Sequence, residues 1–535
     1  LNGGAMRKAA PALKQTYPSR QARRRARRRA RRLAILAILA VLACCLAIVG
    51  VNAMRRHPQT SGASSAAANR VAPAAQQRAN FLQSGAVWTG SQTARLRQDV
   101  APIVNGAVFP ATTSALIADA RDSRVLYEHN GAMPLVPGST IKLITAAAAL
   151  DMLGPQHRFS TTVVTDGAIN SDKLDGNLWL VGGGDPELTS DDLRRGVHVI
   201  SLHGIDGIRG NVYADGSRYG SDAVNATWLP EDLAYGWAAP ASAISIDGGS
   251  VQFTITPKAG AEAAVAVDPP GIAQRVIASV STASSDAENT LRIDTLPDGS
   301  GYQISGQIPY GAPQKYWRSV PHPTRAAAAS LLQMLRLAGI TVDGFAAEAP
   351  APAQHAPLWE HRSRPLQLIV QRMFFDSDNH IAEELLRAVG SQTFGIGTLP
   401  KSLAAERSFL ARRAIAHEGS VLADGSGLST SNKITAAMLA GALGVLARQP
   451  LPEPYKMLPR AGIEGTVRVR DLRPEAKGRV YAKDGYIGGA SGIAGYVLTA
   501  HHGPLIFVFL VNDWEHGLDA IWDGENEILN RLARY

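Results

Sequence analysis

Apolar and polar positions divide this chain into stretches of different character. Positions 33–51 form an unbroken apolar run of 19 residues, directly after a block, 20–32, that holds nine arginines. At about 1.5 Å per helical residue such a run just spans a hydrocarbon core of roughly 30 Å. Arginines before it and polar sequence after it predict a membrane anchor over 33–53, a basic cytoplasmic tail over 1–32 and a body on the outer face of the membrane. A cleaved signal segment competes with the anchor, because Val51-Asn52-Ala53 is an acceptable small-residue cleavage site; the body would then be periplasmic or secreted. Residues 54–95, rich at first in Ala, Ser, Gln and Pro and without a period, read as a linker, and order is expected from about Leu96.

Beyond the linker the periods alternate. Positions 114–119 and 124–127 read as two strands around an Asp122-Ser123 turn. Positions 139–153 are apolar and alanine-rich between Gly138 and Gly154, and predict a helix. Short strand-like pieces such as 178–181 and 251–256 then lie between Gly, Asp and Pro turns, with one helical piece at 323–338. Helical periods return at 365–373, 380–389, 402–418 and 434–446. A hairpin, 492–500 with 505–512, turns at His501-His502-Gly503. The last helix, 521–533, presents Ile521, Ile528, Leu529 and Leu532 on one face. Together these predict an α+β core made of 96–160 and 351–535, interrupted by a strand-rich insertion over 161–350.

Size agrees with that division, since 535 residues exceed what one core of roughly 250–300 residues holds. The net charge of +9 changes its meaning once located: residues 1–56 carry fourteen Lys or Arg and no acid, which leaves −5 for the remainder. The body has no basic footprint, so a nucleic-acid partner is excluded. The two cysteines, Cys44 and Cys45, sit together in the apolar run. The body therefore has no disulfide, no thiol nucleophile and no cysteine metal site. No His-Glu-x-x-His spacing occurs, and Gly182-Gly183-Gly184 lacks the Lys-Ser/Thr of a phosphate loop, so neither metal nor nucleotide cofactor is expected.

Three short motifs carry chemistry. Ser139 and Lys142 are three apart on a helical period and share a face. Ser139, at the helix start, has backbone N–H groups suited to a developing negative charge, and Lys142 lies among apolar neighbours that would lower its pKa and free a neutral amine. Alone, the pair reads equally as a capping serine beside an incidental lysine. Ser377-Asp378-Asn379, if locally extended, points Ser377 and Asn379 the same way into a cleft and Asp378 away; capping of the following helix is the simpler alternative. Lys483-Asp484-Gly485 follows a strand-like stretch. Lys483 supplies positive charge, Gly485 would let a substrate backbone approach the strand, and Tyr486 would offer a second oxyanion N–H opposite that of Ser139. By itself Lys-Asp-Gly is a turn.

In this order and spacing, the motifs resemble the D-alanyl-D-alanine carboxypeptidase/endopeptidase family of low-molecular-mass class C penicillin-binding proteins, peptidase family S13. Leu180 to Pro186, Asp424 to Ser429, Gly462 to Thr466 and Gly492 to Tyr496 resemble family segments, as does the long insertion between Lys142 and Ser377. The resemblance implies a penicillin-binding-protein and serine β-lactamase-like transpeptidase core. It implies a Ser139 acyl-enzyme on peptidoglycan stem peptides, Lys142 as general base, assistance from Ser377 and Asn379, Lys483 in the charged floor, and β-lactams as covalent inhibitors. Where the family has threonine in its third motif, this chain has Asp484, a carboxylate beside the place expected to hold a substrate carboxylate. That departure leaves a catalytically impaired wall-binding scaffold as the alternative. A β-lactamase is a further one, for which no deacylating glutamate is identifiable.

Overall fold

The computed structural model describes residues 81–220, 224–515 and 517–535. Its central sheet has five antiparallel strands: β1 (Thr113–Asp119), β2 (Val125–His129), β3 (Val480–Ile487), β4 (Ala490–Val497) and β5 (Leu505–Asn512). Their order is β3-β4-β5-β1-β2, so the N-terminal hairpin completes a C-terminal meander. Strand side chains alternate between faces. Leu116, Ala118, Ile506, Val508 and Leu510 point into one buried cluster, and Ala115, Ile117, Phe507 and Phe509 into another. Both faces are covered, which is why β5 is apolar at nearly every position.

The second face is covered by α1 (Gly90–Val104), through Leu96, Val100 and Val104, and by a C-terminal helix, Leu518–Arg534, through Ile528, Leu529 and Leu532. A capping box at Thr89 and Gln92 starts α1. Ordered structure therefore precedes the expected onset near Leu96, because the capping residues outweigh a polar, unperiodic composition.

The first face holds the buried helix α2 (Lys142–Leu153), with α3 (Leu366–Asp376), α4 (Asn379–Phe394), α5 (Leu399–Arg412) and α6 (Ala436–Ala447) around it. From Lys142 to Leu150 every residue of α2 is buried. Its run Ala146 to Ala149 lets neighbouring helices approach closely, since alanine keeps the backbone helical without filling space.

Residues 160–362 build three further sheets around a separate apolar cluster. One has six strands, including Ser250–Lys258 and Gln314–Ser319; the others have five and four. Two helices pack on them, Ser190–Leu202 and Pro323–Leu337. The first was not anticipated, although its capping box (Thr189 with Asp192) and its Leu193, Val197 and Ile200 stripe are legible in the sequence. Strands Ser160–Thr165 and Ala356–Arg362 pair antiparallel, with Ser160 opposite Arg362. The chain thus leaves the core and returns to it side by side, and the long excursion does not separate the motifs.

No helix among the described residues is long and apolar enough to cross a membrane. The longest of them, Leu518–Arg534, has 17 residues and a charged face. The expected anchor over 33–53, like the basic tail, falls outside the described residues. The finding against the anchor, the membrane as a partner and a place on its outer face is therefore one about the described residues alone, whose apolar side chains are spent on two-faced strands and short packed helices.

Candidate active site

Pro137 and Gly138 break the chain before α2, and Ser139 lies in a 3-10 turn, Gly138–Ile141, that leads into the helix. Lys142 is the first residue of α2 proper, fully buried. Its Nζ lies 2.9 Å from Ser139 Oγ, 2.7 Å from Asn379 Oδ1 and 2.6 Å from the Ser426 carbonyl oxygen. Burial first, and then the charge of Lys483, pull its ammonium down to about 7.

The Ser377-Asp378-Asn379 segment is not extended. Ser377 ends α3 in the left-handed region at φ +56°, Asp378 caps α4, and Asn379 is the first residue of α4. Ser377 and Asp378 thus take cap positions, and Asn379 opens α4. Asp378 accepts from the Ile381 N–H at 3.0 Å and so ties down the start of α4. Asn379 accepts from Lys142 and donates through Nδ2 to the Trp237 carbonyl at 3.0 Å. Ser377 Oγ has no hydrogen-bond partner among the described residues, and a non-glycine residue at positive φ costs on the order of 1 kcal/mol.

Strand β3 carries the third motif along the edge of the sheet, against the serine turn. A Cβ on Gly485 would lie 2.6 Å from the Pro137 oxygen and 2.7 Å from the Ser139 nitrogen. Gly485 therefore has no room for a side chain, and its glycine lets β3 lie directly against the serine turn. On the other side a Cβ on Gly138 would lie 3.0 Å from the Tyr486 nitrogen, so the backbones of Ser139 and Tyr486 are close neighbours. The Tyr486 side chain itself is exposed, beside Trp514.

Lys483 is fully buried and donates to the Asp484 carbonyl at 2.6 Å and to Asp484 Oδ1 at 2.9 Å. Asp484 Oδ1 also accepts the Thr466 hydroxyl at 2.5 Å. Burial opposes ionisation of Asp484, but the Lys483 charge and these hydrogen bonds outweigh it and hold the carboxyl below its ordinary range. Burial likewise lowers the Lys483 pKa, against the pull of Asp484.

Several residues outside the three motifs support this site. The loop 424–429 presents the Ser426 carbonyl to Lys142. Asp424 fixes it by accepting from the N–H groups of Gly427 at 2.8 Å and Ser429 at 2.7 Å, from Asn432 and from the Trp228 indole. Glu383 Oε1 accepts from the N–H groups of Gly425 at 3.0 Å and Ser426 at 2.9 Å. Gly427, at φ +84°, lets the loop press on the serine turn, since a Cβ there would lie 2.0 Å from the Gly138 oxygen. Glu383 had a signal in the sequence: it follows Asn379 by four on a helical period and so shares its face. Trp237 had none, because it comes from the insertion, far away in the chain.

Three buried glutamates surround α2 and α4. Burial pushes Glu383 up to about 7, and Glu384 and Glu406 up to about 8. These folded values lie above the ordinary 4.5, so the stability tied to keeping the protons is complete below pH 4.5 and is lost as pH rises through 7–8. The buried Lys142 and Lys483, whose pKa values burial lowers, act oppositely, Lys142 above about 7, and buried His380, lowered in the same way, acts oppositely only below 6.5. The expected result is a thermal midpoint that falls from pH 6.5 to 7, with each glutamate contributing up to roughly 1.4 kcal/mol per pH unit in its window. Calorimetry across that range checks it, and Glu384→Gln should flatten the slope. A midpoint that rises would contradict the assignment.

Comparison with known proteins agrees with this geometry. The model of the D-Ala-D-Ala carboxypeptidase 3 (S13) family matches residues 96–535. A D-alanyl-D-alanine carboxypeptidase of Actinomadura sp. (strain R39) is 32% identical over 468 residues, which cover 84% of this chain and 86% of that protein. The crystal structure of penicillin binding protein 4 (dacB) from Haemophilus influenzae is similar with a TM-score of 0.70 and 27% identity, over 83% of this chain and 99% of that one. A structure of the same protein complexed with a novel β-lactam matches with a TM-score of 0.66 and 26% identity, over the same shares of the two chains. With a match that runs from α1 to the C-terminal helix, the chain belongs to the D-Ala-D-Ala carboxypeptidase 3 (S13) family.

Proposed function

We propose that the protein is a serine-type D-Ala-D-Ala carboxypeptidase and D,D-endopeptidase that cleaves peptidoglycan stem peptides through an ester on Ser139. The observation that carries the residue roles is the surrounding of Lys142 Nζ. A neutral amine has two N–H bonds and one lone pair. The Asn379 and Ser426 oxygens, at 2.7 and 2.6 Å, take the two N–H bonds. The lone pair is left for the Ser139 hydroxyl at 2.9 Å. Lys142 then removes the serine proton as Oγ attacks the peptide carbonyl. The backbone N–H groups of Ser139 and Tyr486 are suited to the developing oxyanion. The proton passes from Lys142 to the leaving amine, with Ser377 as relay, and water later hydrolyses the ester by the reverse route. Lys483 contributes a cation paired with Asp484. The core of 96–160 and 351–535 carries this chemistry, and the insertion 161–350 contributes through Trp237, which steadies Asn379. β-Lactams acylate the same serine.

Digestion of purified sacculi tests the reading. Chromatography of the muropeptides should show loss of terminal D-alanine or of cross-links with the wild-type protein and no change with Ser139→Ala. A digest unchanged by the wild-type protein would favour a wall-binding scaffold. Rapid, sustained turnover of a chromogenic β-lactam would favour a β-lactamase.

A further inference from the structure

We infer that Asp484 sets the substrate class of this site: it takes stem peptides whose leaving residue ends in a carboxamide or another neutral N–H-bearing group, in preference to a free carboxylate. The inference rests on the serine-peptidase reading above. Three observations lead to it.

First, the one buried cation on the strand edge is already spoken for. Lys483 directs two of its N–H bonds at the oxygens of its own neighbour Asp484. Second, Asp484 stays ionised, because Lys483 and Thr466 hold its carboxyl below the ordinary range against burial. When Lys142 is neutral, the charges of Lys483 and Asp484 cancel, and the site offers a carboxylate no net attraction. Third, Oδ1 accepts both the Thr466 hydroxyl and the Lys483 ammonium, whereas Oδ2 has no hydrogen-bond partner among the described residues. The side chain keeps 22% of its surface exposed. The open group beside the site is thus an anionic acceptor, and it suits an N–H donor.

Placement makes this matter. Asp484 precedes Gly485, where a Cβ would lie 2.7 Å from the Ser139 nitrogen, and it pairs with Lys483, whose charge acts on Lys142. In a peptide ending in D-alanyl-D-alanine the free carboxylate lies one residue from the scissile bond, so it is held within a residue's length of Ser139. A carboxylate there meets a like charge. A carboxamide donates an N–H to Oδ2, and the amide of a longer cross-linked peptide avoids the repulsion. Discrimination of this kind depends on the group left unpaired by the wrong substrate as much as on the bond made by the right one.

The test compares two acylated peptides identical except for their last group, D-alanine or D-alaninamide, with wild type, Asp484→Thr and Asp484→Asn. Wild type should favour the amide by about tenfold or more in kcat/KM. Both variants should lower that preference by about tenfold, chiefly by gaining on the carboxylate peptide. A wild-type preference for the carboxylate, or a preference unchanged in both variants, overturns the inference. A penicillin adduct at Ser139, followed by intact mass in the same preparations, keeps the two readings apart. An adduct with an unchanged preference overturns only the role of Asp484. Absence of any adduct overturns the nucleophile and this inference with it.

Discussion

Ser139→Ala should abolish covalent capture of a reactive penicillin and lower peptide cleavage by on the order of 10⁵–10⁶-fold, because no second hydroxyl can take over the ester. The geometry makes this substitution a clean one. Ser139 Oγ has Lys142 as its hydrogen-bond partner, and the 3-10 turn that carries it is held by backbone contacts with β3. Removing one hydroxyl from that turn leaves the fold intact. Intact-mass analysis after exposure to the drug should show one adduct on the wild-type protein and none on the variant, with thermal midpoints within a few degrees of each other. An adduct that persists on the variant, mapped to another residue, would refute the assignment. Ser377 is the informative control. Its hydroxyl has no partner among the described residues, and Ser377→Ala should slow acylation without preventing the adduct.

The parts of this site that the sequence revealed are those carried by local pattern. Ser139 and Lys142 share a helical period, and the α2 run between two glycines marks its own ends. The two-faced sheet was legible as apolar strands at 114–119 and 505–512, although their pairing with each other was not, because it joins chain segments almost four hundred residues apart. Ser377-Asp378-Asn379 was found as a motif with two backbone readings left open, local extension and capping of the following helix. The structure takes the second: a left-handed helix end followed by an N-cap brings Asn379 to Lys142. Capping preferences of Ser and Asp pointed there.

What stayed hidden is tertiary. The Ser426 and Trp237 carbonyls act through backbone atoms, which no residue type announces. Gly485 was read as room for a substrate, and that Pro137 and Ser139 crowd its Cβ position was not legible. Asp484 was legible as a departure from the motif, but its partners were not. Thr466 comes from a 3-10 turn, Thr466–Val469, and places a hydroxyl on the carboxylate.

Lys142 gives the second large effect, and its sign separates two roles. Lys142→Ala should lower the acylation rate by roughly 10³–10⁴-fold, the upper part of the range for a positioned general base. It should also cost stability, because the Asn379 and Ser426 oxygens lose their donor in a buried place, at about 1–3 kcal/mol for each group left unpaired. Rates must therefore be taken on protein shown by its melt to be folded. The pH profile decides the role. Burial lowers Lys142 from 10.5 to about 7, so below pH 7 the amine is mostly protonated and its lone pair is occupied. Acylation by wild type should rise about tenfold per pH unit up to about 7 and level off above it. Lys142→Arg keeps a charge but has no lone pair to offer at any accessible pH, so it should fail to rescue. If instead Lys142 served only as a fixed cation, the rate would fall above pH 7 as the amine lost its proton, and arginine would restore it. A falling limb together with arginine rescue would therefore overturn the general-base role, whatever the loss in Lys142→Ala.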